Sequence, residues 1–435
     1  MTHNLPILGL GLMLCQGAAF AQNPPPAAPL RLTLDDAMTR ARANSPEVLR
    51  ASIDALMARE DTVQAKAAFL PNASSFNQFV YTQGNGSPTG VYVGNNGVHE
   101  YNNQAVVHGD IYAPEKMAGY HRAQVAEALA HAKMEIAARG LVATVVADFY
   151  GMASAVRKLA NAQRSLTEAQ QFLDITEKQE KGGEVAHADV LKAQIGAEQR
   201  RREVQESQLE LDKSRLEFSI ILFPDFRQDF EVADDLETPR TLPAFPAVQS
   251  LAANNNPDIH AAQATLEMQN WDLKAARAAM LPSLSFDYFF GMDSNQFALH
   301  TPDGFRNYGS AAQAQLTIPL WTSGAARSRI RQGELGVQIA RNDLSFTQRQ
   351  LLADLNSFYR EADIAGLQIA SLRRSMELSS DSLKLTLEQY EAGECTALEV
   401  VEAQATLVEA RNAYDDGLVR SRVALANLQT LTGAF

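Results

Sequence analysis

The side chains that most often carry enzyme chemistry are few in this sequence and lie far apart. The eight histidines are scattered, and none belongs to a closely spaced metal-binding or nucleophile motif. The most suggestive pair is acidic: Glu399 and Glu402 are three residues apart, so on a helix they share one face. Alone, such a pair is usually an ordinary solvated surface. We therefore expect no enzymatic activity, no metal site and no cofactor.

The composition argues against nucleic-acid binding and against membrane-spanning helices. The chain has 435 residues and a formal net charge of −13, which disfavours nucleic acid as a partner because DNA and RNA binders need basic surfaces. No uninterrupted interior apolar run reaches the roughly 18–20 residues of a membrane-spanning helix. Any part that crosses a membrane is therefore expected to consist of β-strands.

The first 21 residues have the features of a secretory signal peptide. An apolar stretch at residues 5–14 precedes the small-residue sequence Ala-Phe-Ala at 19–21. Cleavage there would make Gln22 the first residue of the mature chain. Residues 22–30 are proline-rich and fit an extended lead-in.

The chain has two cysteines, and one lies inside the predicted signal peptide. Lipid attachment at Cys15 would require a small residue before it, and Leu14 is not small, so we expect no lipidation. Cys395 would then be the only cysteine of the mature protein, which excludes an intramolecular disulfide.

The sequence contains an internal duplication with a spacing of about 210 residues. Residues 46–71 align without a gap to residues 257–282. Both segments begin at the proline of an Asn-x-Pro sequence and end with Leu-Pro. Proline in the first turn of a helix and proline just beyond its end are start and stop signals. We assign residues 31–240 to the first repeat and 241–433 to the second.

Each repeat is predicted to contain a helix, a pair of strands and a long helical hairpin. The strand pairs are placed at 72–112 and 283–319, and the glycine-containing hairpin tips near 182–184 and 393–395. The clearest strand alternates apolar and polar residues, as transmembrane β-barrel strands do. Its apolar residues, predicted to face lipid, are Leu284, Phe286, Tyr288 and Phe290.

The sequence pattern of the long helices is clearer than that of the strands. From about residue 322 to 391 the apolar residues recur at coiled-coil spacings without an internal proline. About 70 residues in one helix would span roughly 100 Å. The first repeat has an equivalent segment at about 115–181, and two helices of this length fit an elongated tube.

Strand number predicts an oligomer. Four strands cannot close a barrel, and an open sheet edge is not tolerated in lipid. Three chains would give twelve strands, an even number that leaves room for a lumen. Counting strands alone also permits two or four chains.

The order of these motifs resembles the family of TolC-type outer-membrane efflux proteins. The resemblance covers roughly residues 31–433. The motifs that carry it are the segment Leu32-Thr33-Leu34-Asp35-Asp36-Ala37, both Asn-x-Pro helix starts, both Leu-Pro strand entries, Ile318-Pro319-Leu320-Trp321 with Gly324, and both glycine tips.

The resemblance implies a mainly α-helical fold with a β-barrel portion. Three chains would form a twelve-stranded barrel in the outer membrane, continued by a twelve-helix tunnel in the periplasm. It also implies a homotrimer that contacts outer-membrane lipid and works with a periplasmic adaptor protein and an inner-membrane pump.

The family also implies a gate at the periplasmic end of the tunnel. A tyrosine before the second tip pairs there with an aspartate beyond the first tip, and the matching residues are Tyr390 and Asp189. The family arginine two residues after the second-tip glycine is replaced by Cys395, which leaves one gate link without its usual residue. Glu399 and Glu402 match an acidic ring at the entrance.

The hairpin tips are the implied docking points for the adaptor, and their residues are Gly182, Gly183, Gly393 and Glu394. A structural or adhesive trimeric coiled coil anchored by a barrel is the alternative. Such a protein would normally carry its barrel once, at its C-terminus, whereas here two strand pairs alternate with two helical hairpins, which favours an export channel.

Overall fold

A computed structural model describes residues 30–81, 99–225, 227–238 and 241–433. The predicted signal peptide and nearly all of the proline-rich lead-in lie outside these residues, as does the loop between the strands of the first pair.

The same order of elements occurs twice along the chain. The first half comprises β1 (Leu30–Leu32), α1 (Leu34–Asn44), α2 (Pro46–Ala67), β2 (Asn72–Tyr81), β3 (His99–Tyr112), α3 (Pro114–Gly182) and α4 (His187–Leu222). The second comprises β4 (Phe230–Val232), α5 (Phe245–Asn255), α6 (Pro257–Ala278), β5 (Ser283–Ser294), β6 (Tyr308–Thr317), α7 (Ala325–Glu391) and α8 (Ala397–Thr432). Because β4 is the equivalent of β1, the second repeat begins before the boundary at residue 241 that the sequence predicted.

The helix starts follow from local sequence chemistry. Ser45 caps α2 by accepting a hydrogen bond from the Val48 amide, and Asn256 caps α6 by accepting one from the Ile259 amide. In both helices proline occupies the first position, where its missing N–H costs nothing. The sequence did not reveal α1 and α5, which have 11 residues each.

The two long helices organise the helical part. α3 has 69 residues and α7 has 67, so each is about 100 Å long at 1.5 Å per residue. α3 packs against α2, α4, α6 and α8, and α7 packs against α6 and α8. The side-chain amide of Asn44, the last residue of α1, donates to the carbonyl of Leu222 at 2.7 Å, which joins the end of α4 to the end of α1, directly before α2. The shorter helices α4 and α2, placed end to end, thus run beside the long helix α3.

One helix among the described residues, α3, contains a segment long and apolar enough to cross a membrane by length and composition alone. The core helix of a soluble bundle can contain an apolar segment of this length as well. In this chain α3 contributes Val145, Phe149 and Tyr150 to the largest buried cluster.

The strands of the two repeats combine into one antiparallel sheet. Its order is β2-β3-β5-β6, so the two strand pairs join through β3 and β5. β1 and β4 form a separate two-stranded parallel pair. In the four-stranded sheet β2 and β6 are the edges, and every residue of β6 is exposed in the single chain.

The sheet has one predominantly apolar face that extends across all four strands. Tyr288 is paired with Val107 on one side and Ala312 on the other, and Val107 is paired with Ala73. Directly paired residues lie on the same face of an antiparallel sheet. On the opposite face Asp287 is paired with His108 and Gln313. The alternation predicted from one strand therefore holds for the sheet.

Candidate functional site

The two hairpin tips are open turns built on glycine. Gly183 and Gly393 have φ angles of 77° and 76°, a left-handed conformation in which glycine carries no steric penalty. The amide of Glu394 donates to the Gln389 carbonyl at 2.9 Å, and the amide of Glu184 makes the equivalent bond in the first tip. No neighbouring atom lies within 4 Å of a Cβ built on either glycine. The tips thus present unobstructed backbone to solvent, and Gly182 and Glu394 are exposed beside it.

A compact apolar cluster lies just behind the tips and draws residues from all four hairpin helices. We call it the tip cluster. Its buried members are Phe172, Ala193, Leu383, Tyr390, Ala397, Val400 and Leu407. The hairpins α3/α4 and α7/α8 are therefore packed against each other at this end within a single chain.

Tyr390 connects the two hairpins inside the tip cluster. Its side chain is buried, and its ring meets Phe172 edge to face with 5.0 Å between the centroids. Its hydroxyl donates to Thr176 Oγ1 at 3.4 Å. Thr176 in turn donates to the Phe172 carbonyl at 2.9 Å, so its hydroxyl proton is already used and its oxygen accepts from Tyr390.

The pairing of Tyr390 with Asp189 is not made within the chain. Asp189 lies in the first turn of α4 and accepts a hydrogen bond from Lys192 at 3.0 Å. Tyr390 instead points into the tip cluster and reaches α3. The physical reason is burial: an aromatic ring gains more from the apolar cluster than from the wet surface where Asp189 lies. The sequence did not indicate Thr176 as the partner, because the two residues are 214 positions apart.

Glu399 has a structural task that the sequence reading missed. It lies at the third position of α8 and forms a capping box with Thr396: the Thr396 amide donates to Glu399 Oε2 at 2.7 Å, and the Glu399 amide donates to Thr396 Oγ1 at 3.4 Å. The Thr-x-x-Glu spacing is a recognised start signal and could have revealed it. Glu402 is exposed and makes no side-chain hydrogen bond or ion pair among the described residues.

Replacing Thr396 with Ala should remove this cap. Losing a threonine cap typically costs about 1 kcal/mol, so we expect faster amide hydrogen exchange in the first turn of α8. Ala186 begins α4 without a side-chain cap and is the matched position of the first repeat. Ala186→Thr should therefore slow exchange in α4. Unchanged exchange in both variants would contradict the importance of the cap.

Cys395 is half-buried beside the second tip. Its Sγ donates to the carbonyl of Thr386 at 3.3 Å. Partial burial, followed by the negative charge of Glu399, raises the pKa of the Cys395 thiol. The thiol is therefore a poor nucleophile at neutral pH while the tip is packed, since the reactive species is the thiolate.

The predicted lipid-facing residues lie together on the apolar face of the sheet. The ring of Phe286 covers Gly109 of the neighbouring strand, where any side chain would collide with it. On the opposite face His108 Nδ1 lies 2.7 Å from Asp287, and Lys116 pairs with Asp110. The sequence identified the polar face but not these polar contacts, which join residues of different elements.

The described residues contain no group of three or more histidine, cysteine, aspartate or glutamate side chains arranged to hold a metal ion.

Comparison with known proteins finds similarity to outer-membrane proteins of efflux systems. Residues 248–434 match the family model described as outer membrane efflux protein. The outer membrane protein OprJ of Pseudomonas aeruginosa is 24% identical over 289 residues, which cover 66% of this chain and 60% of OprJ. The pyoverdine export outer membrane protein OpmQ of the same organism is 30% identical over 206 residues, 46% of this chain and 40% of OpmQ. The matched segments thus span only part of these relatives.

Solved structures show the same fold over nearly the whole chain. The outer membrane protein VceC of Vibrio cholerae superposes with a TM-score of 0.81 over 92% of this chain and 96% of VceC, at 17% identity. The Campylobacter jejuni CmeC outer membrane channel gives a TM-score of 0.80 over 92% of this chain and 85% of CmeC, at 16% identity. The predicted fold class is confirmed by these similarities, and the relatives are channels rather than enzymes.

Proposed function

We propose that this chain, which is similar to TolC-type outer-membrane efflux proteins, is the outer-membrane exit channel of a tripartite efflux or type I secretion system. It would pass small molecules, metal ions or peptides across the periplasm and the outer membrane. The observation that carries this proposal is the junction of a four-stranded sheet, apolar on one face, with helices about 100 Å long. A membrane segment joined to such a tube is what an exit duct requires.

The open sheet supports assembly as a homotrimer. In one chain the edge strands β2 and β6 leave backbone groups unpaired, and in lipid each unpaired group would cost several kcal/mol. Pairing β6 of one chain with β2 of the next removes both edges when the ring closes. Three chains give twelve strands, an even number within the range of known barrels.

The tips support docking by a periplasmic adaptor, which would link the channel to an inner-membrane pump. Both tips expose backbone with no side chain above it, so another helical hairpin can approach closely. The tip cluster behind them would hold the tunnel entrance closed through the contact of Tyr390 with Thr176 and Phe172. In this proposal Asp189 is a surface residue near the gate rather than the partner of Tyr390.

Glu402 is the stronger candidate for an acidic entrance residue, because the carboxylate of Glu399 already accepts hydrogen bonds from its helix cap. Three copies of Glu402 around a narrow entrance would attract cations. Glu402→Gln should therefore weaken cation preference and block by divalent cations in planar bilayers more than Glu399→Gln does. Equal effects of the two substitutions would show that the cap leaves Glu399 available to the entrance.

The assignment is tested by fractionation and mass. The mature protein should begin at Gln22, fractionate with the outer membrane and run as a trimer of roughly 135–140 kDa, three times the 47.5 kDa chain less its leader. A strain that lacks the protein should accumulate exported compounds. Recovery as a soluble monomer after native extraction would contradict the proposal. No observation favours the adhesive alternative.

A further inference from the structure

The loop between β5 and β6, residues 295–307, exposes three large apolar side chains at the end of the sheet that is farthest from the helices. Phe297 is 75% exposed, Leu299 is 66% exposed and Phe305 is 73% exposed. We call this segment the mouth loop. Single apolar residues are common on protein surfaces, but three in one short loop form a patch of the kind that contacts a partner or a membrane.

The backbone of the mouth loop is ordered by its own hydrogen bonds. The Thr301 amide donates to the Phe305 carbonyl at 2.7 Å, and the Asn307 amide donates to the Leu299 carbonyl at 3.0 Å. Gly304, with a φ angle of 81°, completes the turn between the two short arms. The loop is therefore a small antiparallel hairpin that holds its apolar side chains in solvent.

The two sides of this hairpin differ in character. His300 and Arg306 are bridged across the hairpin, so their side chains lie on the same side. Successive residues of an extended chain point to opposite sides, which places Leu299 and Phe305 together on the other. The mouth loop thus has a basic side and an apolar side.

The apolar side of the mouth loop continues the apolar face of the sheet. Phe297 lies against Tyr101, with 5.7 Å between the ring centroids, and Tyr101 in turn lies 4.9 Å from the ring of Phe79. Tyr101 is paired with Ser294, which lies an even number of residues from Tyr288 in β5. These rings therefore form an aromatic row on the face that is predicted to meet lipid.

The basic side of the mouth loop is turned toward the other face of the sheet. Arg306 lines a groove together with Gln104, Asp293 and Ala311. By strand pairing, these three residues lie on the polar face that also carries Asp287. In a closed barrel whose apolar face meets lipid, the polar face lines the lumen, so the basic side of the loop lies at the channel mouth.

We propose that the apolar side of the mouth loop inserts into the outer leaflet of the outer membrane, at the border between acyl chains and headgroups. This inference rests on the proposed function, in which the apolar face of the sheet meets lipid. Aromatic rings at the ends of barrel strands lie at the membrane interface, and Phe297 continues such a row. Leu299 and Phe305 extend the contact beyond the strands. The loop thereby fastens the rim of the barrel to the membrane and folds away from the channel mouth.

Site-specific fluorescence in lipid vesicles tests this contact. Cys395→Ser removes the only cysteine expected in the mature protein, and the environment-sensitive fluorophore NBD is then attached to one introduced cysteine at a time. Leu299→Cys and Phe305→Cys carry it on the apolar side, and His300→Cys and Arg306→Cys carry it on the basic side as matched controls. In phosphatidylcholine vesicles, phospholipid with a nitroxide on its acyl chain should quench the apolar-side labels at least threefold more than the basic-side labels.

A label on the barrel separates failure of this inference from failure of the proposed function. Ala312 lies on the apolar face of β6, so Ala312→Cys should be quenched whatever the loop does. Quenching at Ala312→Cys without quenching at Phe305→Cys, or equal quenching on both sides of the loop, would overturn the lipid contact and leave the channel assignment intact. Blue-shifted emission at Phe305→Cys without lipid quenching would also overturn it, because the loops of three chains would then cover one another over the mouth. Absence of quenching at both positions would contradict the barrel itself and with it the loop contact.

Discussion

An arginine introduced at Ala312, on the apolar face of the sheet, should destabilise the assembled protein by about 2–4 kcal/mol, the usual cost of a cation on the lipid face near the middle of the bilayer. Ala312 is paired with Tyr288, so it lies among the residues predicted to face lipid. The measurement is the fraction of heat-resistant trimer on a semi-native gel, together with its urea midpoint. Tyr288→Arg should have a similar effect.

The neighbouring residue provides a matched control. Ala311 is exposed like Ala312, belongs to the same strand and lies on the opposite face, where it is paired with Phe289 and is next to Gln313. Ala311→Arg should leave trimer assembly within about 0.5 kcal/mol of the unaltered protein, as surface substitutions usually do. Equal damage from both substitutions would mean that the alternation of apolar and polar residues does not distinguish a lipid-facing side of the sheet.

The sequence predicted the helices and strands well because their signals are local. Proline marked both ends of α2 and α6, and glycine marked the tips that follow α3 and α7. The predicted spans of the long helices, 115–181 and 322–391, lie within a few residues of Pro114–Gly182 and Ala325–Glu391. Period-two alternation is likewise a local property, so the apolar face of β5 could be extended to the sheet once the pairing was known.

Contacts between distant segments could not be predicted in the same way. Tyr390 and Thr176 meet only because two helices of nearly 70 residues run to the same end of the molecule with a particular rotation about their axes. A rotation of one residue in either helix, about 100°, would move the tyrosine off α3. The same limit applies to the contact of Phe297 with Tyr101.

The two tips differ in their side chains although they lie at equivalent positions of the two repeats. Glu180 and His187 occupy the positions of the first repeat that correspond to Tyr390 and Ala397, and their side chains form a solvent-exposed pair at 2.7 Å. Tyr390 and Ala397 are both buried in the tip cluster. The first tip is thus polar at its surface, whereas the second is bound to α3 by an apolar contact. We infer that the α7/α8 hairpin is the part that must be released when the gate opens.

Thr176→Val should shift the gate toward its open state, and Tyr390→Phe should do so to a smaller extent. Valine keeps the shape of threonine but leaves the buried Tyr390 hydroxyl without its acceptor, at a cost of about 1–3 kcal/mol. Phenylalanine keeps the ring against Phe172 and loses only a hydrogen bond of 3.4 Å, worth about 0.5–1 kcal/mol. If three chains open together, even the smaller loss sums to about 1.5–3 kcal/mol, a shift of roughly ten- to a hundredfold.

Single-channel conductance in planar bilayers measures this shift, and Cys395 provides an independent reading. Its thiol is half-buried and its pKa is raised while the tip is packed, so opening should speed its alkylation by a maleimide in both variants. Thr386→Val is the matched control, because Thr386 is the equivalent residue of α7 and its hydroxyl donates only to the Ser382 carbonyl of its own helix, at 2.9 Å. It should change neither conductance nor alkylation.

Asp189→Ala separates the contact seen in the chain from the link implied by the family. A pairing of Asp189 with Tyr390 would make Asp189→Ala open the channel as strongly as Tyr390→Phe. In the structure Asp189 pairs with Lys192 on the surface of α4, and exposed pairs of this kind contribute about 0–1 kcal/mol. We therefore expect Asp189→Ala to leave conductance and Cys395 alkylation close to those of the unaltered channel. High conductance in Asp189→Ala together with an unchanged Thr176→Val channel would restore the Asp189 link and remove Thr176 from the gate.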